Sequence, residues 1–94
     1  MANTKSQNIP NSLKRYRRAR GLRQKDVAMI LELNNTSMIS RWEKGIFLPN
    51  TINIFKLAII YRTMTDALFP DLLKALKSDI QKRESKVLKR ENRQ

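Results

Sequence analysis

The chain is 94 residues long, enough for one domain and not two. Twenty Lys and Arg against eight Asp and Glu give a net charge of +12, a field that draws polyanions, nucleic acid first and anionic membrane second. The chain has no Cys and no His, which excludes disulfides, Cys/His zinc sites, and the commonest general base and best nucleophile of enzymes.

Residues 1–9 are polar and are expected to be a flexible segment. After Pro10, Asn11 or Ser12 caps a first helix, with Leu13 and Tyr16 sharing a face, and Gly21 ends it. A second helix starts near Arg23 or Gln24, buries Val27, Ala28 and Leu31, and is broken by Asn34 and Asn35. The third runs from about Thr36 to Lys44, with Ile39 and Trp42 three apart on its inner side and Gly45 as its stop. Leu48-Pro49 keeps the following connector out of helix.

Asn50 or Thr51 caps the fourth helix. Its apolar positions Ile54, Phe55, Leu57, Ala58 and Tyr61 form a wide stripe that predicts the central packing helix. Thr65 caps a short fifth helix, with Asp66 at its positive end and Leu68 and Phe69 turned inward. The segment from Asp71 to Gln94 has no Gly or Pro. It carries Leu73, Leu76, Ile80 and Val87 at roughly heptad spacing, with Arg83 and Arg90 where seam residues belong. From Leu72 onward eight basic residues stand against three acidic ones, so this tail is +5. Helix is expected through about Lys82, burying Leu72, Leu73, Leu76 and Ile80, and mobility beyond it. The tail reads as a helix packed on the domain, a dimerisation element, or an arm that adds affinity.

Two short helices joined by a turn, with a third close behind, are the ingredients of a helix-turn-helix. That device needs an apolar back that holds the reading helix. It also needs short polar groups and one long one at the helix front, and cations or amides nearby for phosphate. Val27, Ala28, Leu31, Leu33, Ile39 and Trp42 supply the back. Thr36, Ser37, Ser40 and Arg41 are the candidates for base contact, Arg41 one turn beyond Ser37 and matched by its planar fork to guanine. Met38 is either an apolar filler or a contact to a thymine methyl. Arg23, Gln24 and Lys25 at the start of the second helix, with Asn35, Lys44 and Asn50 around the third, are the candidates for phosphate. Arg15 and Arg18 of the first helix are weaker candidates, and Trp42 belongs to the core rather than to a base stack.

The stretch from Leu13 to Phe69 resembles the phage-repressor and Cro-like (XRE-type) helix-turn-helix family. The matching residues are Gly21-Leu22, Gln24 with Asp26-Val27-Ala28, then Ile39 through Gly45 (Ile-Ser-Arg-Trp-Glu-Lys-Gly), Leu48-Pro49, Leu57-Ala58, and Asp66 with Leu68-Phe69. The resemblance implies an all-α fold, a five-helix lambda-repressor-like DNA-binding domain over residues 10–70; the basic extension over 71–94, expected from its own residues to be helical, lies outside the resemblance. It implies that Gln24 binds phosphate, that Thr36, Ser37 and Arg41 read bases, and that Arg17 and Glu43 form a buried salt bridge. Three positions depart from the family pattern. Arg23 stands where a Ser or Thr cap is usual, Asn34-Asn35 lengthens the turn by one residue, and Arg62 replaces a Gly after the fourth helix.

The expected function is a sequence-specific transcriptional regulator, not an enzyme, acting on double-stranded DNA as a homodimer on a pseudo-palindromic operator without cofactor or metal. The alternatives are an antitoxin-type regulator that also binds a protein partner through the C-terminal extension, and a non-specific basic nucleic-acid-binding protein. No apolar run approaches the roughly 20 residues of a membrane span, and Met1 to Asn8 is polar, so a cytoplasmic, nucleoid-associated protein is expected.

Overall fold

The computed structural model describes residues 8–92, and side chains as far as Lys89. Six helices make up the described part: α1 (Leu13–Ala19), α2 (Gln24–Ile30), α3 (Ser37–Lys44), α4 (Thr51–Tyr61), α5 (Thr65–Leu68) and α6 (Pro70–Asn92). No described helix is long and apolar enough to cross a membrane. One core joins α1 to α5: Leu13, Val27, Ala28, Ile39, Trp42, Leu57, Ala58, Tyr61, Leu68 and Phe69 are all buried. Removing these apolar side chains from water is the main force holding five short helices, none of which would persist alone.

The helix ends show why the elements stop where they do. Asn11, not Ser12, caps α1: its Oδ1 accepts the Leu13 amide at 3.0 Å. Gly21, at φ +70°, turns the chain out of α1 so that the Leu22 amide reaches back to the Arg17 carbonyl at 3.1 Å. Gly45 repeats the device after α3 at φ +76°. Two further helices end the same way without glycine. Glu32 (φ 61°) closes α2, with the Leu33 amide on the Ala28 carbonyl, and Arg62 (φ 55°) closes α4, with the Thr63 amide on the Ala58 carbonyl.

Several expectations are corrected. Helix α2 ends at Ile30, four residues before the Asn34-Asn35 pair, because the Glu32 turn intervenes. Met64, not Thr65, occupies the cap position of α5. Phe55 points outward and is 54% exposed, so the buried stripe of α4 is Leu57, Ala58 and Tyr61, with Ile54 half-buried. Ile9 is not part of a free segment: it packs against the core and its amide donates to the Gly45 carbonyl at 2.8 Å. The expected flexibility of residues 1–7 lies outside the described residues. Helix α6 runs unbroken past Lys82 to Asn92, and Leu76 and Ile80, expected to be buried, are half exposed. Among its described side chains only Leu72 and Leu73, at its start, are partly covered.

Candidate nucleic-acid interface

Helix α3 is held from behind and at both ends. Ile39 and Trp42, one turn apart, sink into the core beside Val27 and Ala28 of α2. At its C-terminus the carbonyls that a helix leaves unpaired are taken up by the start of the chain. The Asn11 amide donates to the Trp42 carbonyl at 3.1 Å and the Glu43 carbonyl at 3.4 Å. The backbone of Ile9 lies so close to Gly45 that a Cβ there would fall on the Ile9 carbonyl oxygen.

A buried ion pair fixes the rotation of α3 relative to α1 and α2. Arg17 Nε donates to Glu43 Oε2 at 2.6 Å and Nη2 to Oε1 at 3.1 Å, a bidentate fork with both side chains more than nine-tenths buried. Arg17 Nη1 also donates to the Leu22 carbonyl at 3.0 Å. The bond to Glu43 raises the Arg17 guanidinium further above its usual range, against the opposing effect of burial. Gln24 Nε2 donates to Glu43 Oε1 at 3.0 Å, which ties the first turn of α2 to the last turn of α3. Burial pushes the Tyr61 phenol upward, the Glu43 charge adds to this, and Arg17 opposes it. The tyrosine is therefore neutral beside the pair.

The opposite side of α3 is open. Ser37, Arg41 and Lys44 are exposed, and Thr36 and Ser40 are half-buried. Met38 is half-buried against the core, the position of a filler. Asn35 Oδ1 accepts the Ser37 amide at 2.9 Å, so Asn35 supplies the cap that Thr36 does not, and its amide group remains free to donate. Asn50 does the same for α4, accepting the Asn53 amide at 2.8 Å.

Arg23 and Lys25 are exposed at the start of α2. Arg23 has no acceptor with which to cap the helix; instead its own amide donates to Asp26 Oδ2 at 2.7 Å. That bond, with the Arg23 side chain 3.4 Å away, lowers the Asp26 carboxyl. Gln24 thus has one donor engaged in the fold and its carbonyl oxygen and second N–H left over. The fold places Arg23, Gln24 and Lys25 next to one end of α3, through the Gln24–Glu43 bond, while Asn50 follows Lys44 across the connector.

Sequence reasoning treated Asn11 as a cap alone and missed its grip on α3. An Asn before a helix signals a cap whatever else its amide does. The basic cluster of α1 also divides. Arg20 Nη1 donates to the Ile60 carbonyl at 2.9 Å and so closes the end of α4, and Arg15 lies 5.8 Å from the centre of the Tyr16 ring.

Residues 13–66, more than half of the chain, match the helix-turn-helix family. No curated protein and no solved structure matches the chain. The matched span begins at the first residue of α1 and takes in the open face of α3 and the Arg17–Gln24–Glu43 cluster behind it. The chain belongs to the XRE-type helix-turn-helix family of DNA-binding regulators, with a sixth helix beyond the matched span.

Proposed function

We propose that the protein is a sequence-specific transcriptional regulator that binds double-stranded DNA as a homodimer, α3 of each subunit entering successive major grooves of a pseudo-palindromic operator. The observation that carries this reading is the two-sidedness of α3: one face locked by Ile39, Trp42 and Glu43, the other presenting Ser37 and Arg41 to solvent. A reading helix must be rigid from behind, because an error of an ångström at a base edge loses the hydrogen bonds that discriminate.

In this reading Thr36, Ser37, Ser40 and Arg41 contact bases. Arg23, Gln24, Lys25, Asn35, Lys44 and Asn50 contact phosphates from both sides of α3. The free amide groups of Asn35 and Asn50, whose oxygens are already used as caps, suit phosphate. The net charge of +12 supplies approach and non-specific affinity.

Selection of tight binders from random duplexes at physiological salt tests the reading. The expected result is an inverted repeat with half-sites one helical turn, roughly 34 Å, apart. Arg41→Ala then relaxes one position of each half-site, at a cost of about 1–3 kcal/mol. Recovery of unenriched sequence, with binding that collapses as salt rises, would leave only non-specific binding.

A further inference from the structure

The DNA-contact reading leaves the outward face of α6 unused. Over 23 residues the helix extends about 34 Å. Leu73, Leu76, Ile80, Arg83 and Val87 fall on one seam of a heptad pattern, with Leu73, Ile80 and Val87 at position a and Leu76 and Arg83 at position d. Leu76, Ile80 and Val87 are 52%, 50% and 44% exposed, which is high for a row of aliphatic side chains on one helix. At its N-terminal end the row runs into a shallow groove lined by Leu48, Ile54, Phe69 and Leu72.

We propose that this face is covered by α6 of a second copy of the chain, in an antiparallel pair whose twofold axis passes between Gln81 and Lys82. The charges beside the seam choose this arrangement. Lys77 and Glu84 flank it on one side (position e), Asp79 and Lys86 on the other (position g). About that axis Lys77 faces Glu84 of the second copy and Asp79 faces Lys86, each pair occurring twice. Leu76 stacks on Val87, and the Arg83 stem lies along Ile80 instead of along a second arginine.

Three neighbouring arrangements set like charges together. A parallel pair in register sets Arg83 on Arg83 in the seam and Asp79 against Glu84 at its edge, with like charges in both places. Sliding the antiparallel pair by one heptad sets Lys77 on Lys77 and Asp79 on Asp79 in one direction. In the other it sets Glu84 on Glu84 and Lys86 on Lys86. Lys74, Lys82 and Lys89 fall on the outer side in the chosen register, where their charge stays in water. The charge pattern therefore specifies direction and register at once, as flanking charges do in natural helix pairs. This interface deepens the homodimer part of the proposed function and does not depend on the DNA contacts assigned to α3.

Sedimentation equilibrium of the full chain, without DNA, tests the proposal. The wild type is expected to show a monomer–dimer equilibrium. Lys77→Glu weakens it about tenfold, because two attractive pairs become two repulsive ones. Glu84→Lys weakens it likewise, and the Lys77→Glu/Glu84→Lys double variant restores it. Both residues are exposed, so circular dichroism, and melting at concentrations where the monomer dominates, stay those of the wild type. A parallel pair predicts the reverse for Glu84→Lys, which would then tighten the dimer by pairing Asp79.

Since the chain has no cysteine, oxidation of mixed Leu76→Cys and Val87→Cys proteins gives a second reading. Cross-linking between the two variants, and not within either alone, is expected. A wild type monomeric at all concentrations, a Glu84→Lys protein that dimerises more tightly, or self-cross-linking of Leu76→Cys would overturn the proposal. None of these results would touch the DNA contacts assigned to α3, which the duplex selection tests separately.

Discussion

Arg17 and Glu43 are two opposite charges that the fold takes out of water together, and their cost and benefit are unequal when they are separated. Removing one leaves the other buried and unpaired, whereas replacing both with apolar groups removes the desolvation cost with the attraction. Arg17→Met is expected to destabilise the protein by about 3 kcal/mol and Glu43→Met by a similar amount, while the double variant recovers most of the loss. Thermal unfolding of the three proteins checks this, at about 4–8 °C per kcal/mol for a domain of this size. Double-variant melting no higher than that of either single variant would refute the inequality. Glu32 and Arg62 make the opposite case, since each holds a left-handed backbone that costs a side chain about 1–2 kcal/mol. Glu32→Gly and Arg62→Gly should each stabilise by about 0.5–1 kcal/mol once the added freedom of the unfolded chain is subtracted. Denaturant midpoints read this directly. Arg62 was legible as a glycine position because the family resemblance put one there. Glu32 was not, since a turn built on Glu leaves no compositional mark, and the Asn pair further on was the stronger signal.

At the scale of elements, legibility followed whether a signal was local. Gly21, Gly45 and Asn50 were readable as helix ends because each acts within its own turn of chain. Phe55, Leu76 and Ile80 were misplaced because periodicity finds an apolar stripe and cannot say what covers it. The candidate site divides in the same way. The exposed front of α3 was legible from spacing, but the clamp of Asn11 on α3 joins residues 31 and 32 apart, beyond any local pattern. The first turn of α2 carries an element-scale prediction. Its entry is closed by the Asp26 carboxylate on the Arg23 amide, and Asp26 is held below the usual carboxylate range by that bond. A group lowered on folding stabilises above its unfolded pKa and loses that contribution as pH falls through the folded one. The α2 entry should therefore loosen as pH drops below the normal value of 3.8, and not before. Amide exchange of α2 followed against pH checks this, with Asp26→Asn expected to flatten the dependence; an Asp26→Asn protein with the wild-type profile would assign the change to another group.

The whole molecule is not a ball. Its radius of gyration is 17.1 Å, where a compact chain of this length would have about 12 Å. The extents of 57 × 36 × 21 Å show one long direction. The difference comes from α6, whose distal half leaves the five-helix body uncovered. Small-angle scattering extrapolated to infinite dilution should return a radius no smaller than about 17 Å. A value near 12 Å would mean that the tail folds back on the domain, one of the three arrangements its sequence allows. The matched family span, by contrast, begins at residue 13, after both residues that secure the last carbonyls of α3. A chain trimmed to the family's limits would keep every candidate base contact and discard the fastening of the helix that bears them. For anyone placing a fusion partner or shortening the protein, the few residues before the domain are the ones to leave in place.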